Sequence, residues 1–108
     1  MKHRACLGEK VNAYNLAEIE ISEGSTIAQE VFLCTGTHDF SDENLQLITK
    51  KITIKQNVFI GARAMIMPGV KIDKGAIIGA MAVVTSHVHA FDIVAGNPAR
   101  KIGTNSLS

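Results

Sequence analysis

An aliphatic residue stands at every sixth position from Ile54 onward: Ile54, Ile60, Ile66, Ile72, Ile78 and Val84. A second column lies four residues after each: Val58, Ala64, Val70, Ala76, Ala82 and Val88, all small or β-branched. Turn formers fill the spaces between, among them Asn57, Gly61, Pro68, Gly69, Asp73, Gly75 and Gly79. An α-helix cannot use this period. Six residues turn it by about 600°, which spreads the apolar positions over every face. A half-buried strand wants a period of two. A period of six suits a short strand followed by a corner, and three such sides make a triangular coil of roughly eighteen residues. The aliphatic residue then points inward, and the small residue sits by the corner, where a large side chain would meet the next coil. Coils stack at about 4.8 Å, the spacing of paired strands, and bury a core that no single coil has alone.

The same phase runs upstream through Ile21, Ile27 and Leu33, partnered by Ser25, Val31 and Thr37. From Leu33 to Ile54 the step is not a multiple of six, and the intervening residues are largely polar. Residues 39–53 are therefore expected to leave the coil as one protruding loop. Before Ile21 the phase slips, with Leu7 and Val11 on one side and Asn15 and Ile19 on another. The expected chain is a single all-β domain over 1–108. It has lower coils at 7–38, the excursion at 39–53, regular hexads at 54–88, and a closing segment with a tail at 89–108. That amounts to roughly ten to eleven sides. A β-sandwich or a βαβ domain does not produce six phased repeats. The period does not by itself fix the hand of the coil, since parallel crossovers are ordinarily right-handed.

Composition narrows the function. The chain has 108 residues, 46% hydrophobic and 19% charged, with no Trp. This is a globular composition whose core is aliphatic rather than aromatic. A formal net charge of +1 argues against nucleic-acid binding through bulk charge. The longest apolar stretch, 76–84, is too short to span a membrane. No secretory signal is visible at the N-terminus, so Cys6 and Cys34 read as free thiols of a cytoplasmic protein.

Three segments carry a resemblance: "LCTGTHDF" (33–40), "ITIKQNVFIGARAMIMPGVKIDKGAIIGAMAVVT" (52–85) and "IVAGNPARKIG" (93–103), with "AYNLAEIEIS" (13–22) upstream. Together they resemble the hexapeptide-repeat acetyltransferases, nearest the colanic-acid-biosynthesis type and the maltose and galactoside O-acetyltransferases. The resemblance implies a left-handed parallel β-helix and a homotrimer with active sites between subunits. It also implies acetyl-CoA as co-substrate and a hydroxyl of a sugar-like small molecule as acceptor. The family's N-terminal helical segment is not seen, so the chain reads as an N-terminally shortened member.

The family's general base falls on His38, in "GTHD". A hydroxyl attacks a thioester only as its proton leaves, and imidazole titrates near neutrality. Asn15 is implied as an acceptor contact, with a corner or ladder role equally open. Asp39 is grouped with it on the acceptor side, and orienting the ring or capping the turn are its alternatives. Ala62, Gly79, Ala80 and Thr85 match family positions along the cofactor groove, although corners need small residues in any case. Arg100 and Lys101 are candidates for the CoA phosphates, with a solvated basic end as the alternative. Cys34, four residues before His38, reads as a packed small residue rather than a nucleophile. His87 and His89 depart from the family. Their spacing brings no three histidines together as in the γ-carbonic anhydrases, so no metal ligand is assigned. Two rival readings stand beside the acetyltransferase: a non-catalytic trimeric β-helix remnant, and a metal enzyme of the carbonic-anhydrase kind.

Overall fold

The computed structural model describes residues 6–7, 12–14, 18–38, 41, 43–44 and 46–107; for 6–7, 12–14 and 37–38 the description is of the backbone. The chain winds as a left-handed parallel β-helix of three faces. The first face stacks β1 (Cys6–Leu7), β4 (Thr26–Ile27), β9 (Phe59–Ile60), β12 (Ile77–Ile78) and β14 (Asp92–Ala95). The second stacks β2 (Asn12–Tyr14), β5 (Phe32–Cys34), β10 (Met65–Ile66) and β13 (Val83–Val84). The third stacks β3 (Ile19–Ile21), β8 (Ile52–Ile54) and β11 (Lys71–Ile72). Twelve strands thus form the coil among the described residues, more than the sides counted from sequence. The slipped N-terminal phase hid the difference: Ala13 pairs with Leu33 and Leu7 with Ile27, twenty residues on.

Over 21–33 and 54–84 both columns are where their period put them, whereas Thr37, expected at a corner, pairs with Ile48 outside the coil. Ile27, Ile54, Ile60, Ile66, Ile72 and Ile78 are fully buried, and Val58, Ala64, Val70, Ala76 and Ala82 are nearly so. Each fully buried Ile is worth about 1.5–3 kcal/mol of transfer free energy, so the stack is the main source of stability. Ser25 takes a corner place where later coils carry Val58 and Ala76. Its buried hydroxyl donates to the Lys55 carbonyl at 2.6 Å and accepts from the Val58 N–H at 3.1 Å.

The corners repeat one turn. The N–H groups of Ala64, Val70, Ala76 and Ala82 donate back to the carbonyls of Gly61, Met67, Asp73 and Gly79. The third residue of each turn has positive φ: Arg63, Gly69, Gly75 and Met81. That is the geometry of a type II turn, and Pro68-Gly69 is its preferred sequence. Gly61 answers a different need, because a Cβ there would lie 2.6 Å from the Ala80 nitrogen.

Two interruptions depart from the expected boundaries. The excursion is a β-hairpin, with β6 (Gly36–His38) antiparallel to β7 (Leu47–Thr49). Its neck is closed by the Lys50 N–H donating to the Thr35 carbonyl at 2.8 Å. The coil resumes at Ile52, which is fully buried, two residues before the sequence placed it. Below the neck, Lys51 reaches Glu18 at 2.8 Å and Glu20 at 3.7 Å; the hydrogen bond and charge of Glu18, then the charge of Glu20, hold its pKa above the usual lysine value.

At the top the coil shortens. The register step is eighteen residues from Ile60 to Ile78 but sixteen from Ile72 to Val88 and from Ile78 to Val94. Val88 was expected in the corner column. It instead bridges Ile72 in parallel and fills the inward place of a strand, because the corner before it is two residues short. The closing segment also adds β14, the fifth strand of the first face, and a sixth strand beside it. There β15 (Arg100–Thr104) folds back antiparallel on β14 and covers the edge that the parallel stack would leave open.

Candidate functional site

The hairpin leaves the helix at the corner between the second and third faces, directly after β5. His38 ends β6, with its backbone opposite Leu47. The hairpin is held against the helix on its return side, where the Lys50 chain lies close over Gly69 in the coil above. Asn15 and Asp39 lie outside the described residues.

The groove candidates fall into two groups. Ala62, Gly79 and Ala80 sit at the corner between the first and second faces. The Met81 N–H donates to the Ala62 carbonyl at 2.9 Å, and the backbone of Gly79 and Ala80 runs over Gly61. Above Gly79, an added Cβ would lie 3.1 Å from the Ala95 methyl. Gly61, Gly79 and Ala95 thus mark the place where successive coils pack most closely at this corner. Thr85, Arg100 and Lys101 gather at the top, around a cavity of about 300 Å³ over the end of the core.

The electrostatics there separate the two cations. Lys101 pairs with Asp92 at 3.2 Å, where the carboxylate is only 14% exposed. Arg100 donates to the Ala99 carbonyl at 3.4 Å and is exposed at the cavity's rim. Cys34 is a free thiol half-buried in β5 and donates to the Gly36 carbonyl at 3.1 Å, a packing role rather than a nucleophile's setting.

Sequence reasoning missed one constellation. His87 and His89 come together with Asp73: His87 Nε2 lies 3.0 Å from Asp73 Oδ2, and the two imidazole ring centroids are 4.5 Å apart. The signal was a His-x-His triplet centred on an aliphatic residue, which a β-coil displays with both rings outward.

Comparison with known proteins defines first the class of this domain. Residues 51–86 match the family model described as bacterial transferase hexapeptide, six repeats. The chain carries a hexapeptide-repeat transferase domain and is homologous to acetyltransferases of that family. It is 35% identical over 95 residues to the Escherichia coli K12 protein named "Putative colanic acid biosynthesis acetyltransferase WcaF", covering 88% of this chain and 52% of that protein. A hexapeptide-repeat acetyltransferase from Vibrio cholerae O1 biovar eltor, complexed with acetyl coenzyme A, superposes with a TM-score of 0.90 at 25% identity, over 95% of this chain and 58% of that one. A maltose O-acetyltransferase from Clostridium difficile 630 superposes with a TM-score of 0.81 at 28% identity, over 96% and 60%. The chain spans about half the length of the WcaF protein it matches.

Proposed function

We propose that the chain carries out acetyl transfer from acetyl-CoA to a hydroxyl of a sugar-like acceptor, with His38 as general base. The observation that carries this reading is the whole-chain likeness to an acetyltransferase holding acetyl coenzyme A, joined to a histidine borne on the hairpin that leaves the helix. The acceptor oxygen attacks the thioester carbonyl as an imidazole nitrogen of His38 takes its proton. The tetrahedral oxyanion is met by backbone N–H groups. The C–S bond then breaks, and the proton passes from His38 to the departing thiolate, giving an acetyl ester and CoA. The small-residue edge of Ala62, Gly79 and Ala80 suits an extended thioester arm. Arg100 suits a phosphate better than Lys101, whose charge is already answered by Asp92. Thr85, beside that cavity, is assigned to the same cofactor, and Asn15 and Asp39 to the acceptor.

The site is assigned to a homotrimer, between subunits. In support, His38 and the Ala62–Ala80 edge belong to different corners of one chain. The free thiol of Cys34 fits a reducing, cytoplasmic setting.

The test is CoA release across a panel of sugar acceptors, with acetyl-CoA binding followed by calorimetry. His38→Ala should lose about 10²–10⁴ of turnover and keep its acetyl-CoA affinity; unchanged turnover removes His38 as base. A folded chain that binds no acetyl-CoA would instead favour the non-catalytic remnant.

A further inference from the structure

The shortened third face brings three potential metal ligands together. Val88 is inward and pairs with Ile72; the Val88 N–H donates to the Lys71 carbonyl at 2.9 Å, and the Asp73 N–H donates to the Val88 carbonyl at 3.0 Å. In a parallel pair, neighbours of inward residues point out on the same side. Lys71 and Asp73 therefore flank Ile72, and His87 and His89 flank Val88, on one outer surface. The backbone ladder, not a mobile loop, sets their spacing.

We propose that Asp73, His87 and His89 form a binding site for a borderline divalent transition-metal ion, with Zn²⁺ as the type. One donor atom from each residue lies within 4.8 Å of the others. Zinc bonds imidazole nitrogen and carboxylate oxygen at about 2.0–2.2 Å, which puts two donors of one tetrahedral ion about 3.4 Å apart. The 3.0 Å between His87 Nε2 and Asp73 Oδ2 is already near that value, and the two edges to His89, each within 4.8 Å, would be shortened by rotation of its exposed ring. Water completes the shell. Two imidazoles and one carboxylate select zinc, nickel or copper over magnesium or calcium, which want oxygen ligands. Lys71 stands 3.8 Å from the other carboxylate oxygen, Oδ1. It weakens the site without occupying the oxygen that faces His87.

The ion would join coil to coil, since Asp73 belongs to the regular helix and both histidines to the short turn above it. Binding should therefore stabilise the fold as well as saturate. The experiment is calorimetric titration of Zn²⁺ into the tag-free, metal-stripped chain, with thermal unfolding followed in parallel. One ion per chain is expected, with affinity falling at least about tenfold in His87→Ala and in His89→Ala; losing only a group that hydrogen-bonds a metal ligand costs about that much. The zinc-induced rise in Tm should vanish in both variants. His3→Ala, as a control elsewhere in the sequence, should bind as the parent does. Both substituted histidines are exposed, so the variants should fold. The site is refuted if the parent binds zinc no tighter than a chain carrying both His87→Ala and His89→Ala, or if affinity follows His3 instead.

Discussion

The regular coils from Ile54 to Val84 and the closure from Thr85 to Thr104 are built from similar residues and obey different rules. In the coils every side takes six residues, the four successive corners from Gly61 to Ala82 take the same turn, and the inward side chains are almost completely hidden. In the closure two residues are lost from one corner, and β15 reverses direction. Burial loosens there too: Val88 keeps 4% exposure, Val94 6% and Ile102 67%. Repetition gives each coil a complete floor and ceiling. The last coil has only a floor, and what covers it must be made from side chains that do not repeat. Thr85, Arg100, Lys101, His87 and His89 all fall in this second region. An end that is not constrained to stack is free to carry chemistry.

The largest effect that would break this comparison concerns the core. Ile66 lies between Leu33 and Val84 in the middle of the second face. Ile66→Ala should cost about 3–4 kcal/mol, because a cavity there has rigid coils on both sides and cannot collapse. Val94→Ala, under the thin closure, should cost only about 1–2 kcal/mol, as fewer atoms are removed and β15 can settle. Urea unfolding at matched protein concentration checks both. Equal losses would mean that the closure is packed as firmly as the coils.

A middle-sized effect probes how the two regions are joined. Gly75 has a φ of 71° and the Phe91 ring packs directly on it. Asn105 ties the tail to the same place, donating from Nδ2 to the Gly75 carbonyl at 2.8 Å and from its N–H to the Phe91 carbonyl at 2.7 Å. Gly75→Ala should cost about 1–3 kcal/mol, through left-handed backbone strain and displacement of the ring. Amide exchange should show the loss first at residues 91–105 if the closure opens separately, and uniformly if it does not.

The same contrast explains what the sequence made legible. The stack from Ile54 to Val84 could be read outright, because a period of six with two apolar columns has one simple geometric solution. The hairpin was foreseen as an interruption but placed too far along the chain. Leu47-Ile48 and the Ile52-Thr53-Ile54 triplet are short apolar clusters that each suit either a hairpin arm or a coil side, and only pairing decides that Ile52 belongs inside. Val88 was assigned to the corner column because a two-residue deletion leaves it four residues after Val84, as a corner residue should be. Its real partner, Ile72, is visible only once the coil step is known. For the same reason the meeting of Asp73 with His87 and His89 had no signature along the chain. Proximity there depends on a sixteen-residue step where the regular coils use eighteen.

The smallest effect separates turn geometry from side-chain packing. Met81 holds a φ of 63° at a regular corner and is 68% exposed, while Phe91 holds a φ of 62° in the closure and is half-buried over Gly75. Relieving a left-handed residue gains about 1–2 kcal/mol, and the extra freedom of glycine in the unfolded chain returns about 0.5–1 kcal/mol of that. Met81→Gly should therefore leave stability unchanged or raise it by up to about 1.5 kcal/mol, since little packing is lost. Phe91→Gly makes the same backbone gain but uncovers Gly75 and frees the tail, so it should be destabilising despite the easier φ. Opposite signs for the two substitutions would show that the coil needs its left-handed corners and not the residues on them, while the closure depends on the particular side chain it was given. A destabilising Met81→Gly would assign the exposed methionine a contact that a lone coil does not provide, and would direct attention to a neighbouring subunit at that corner.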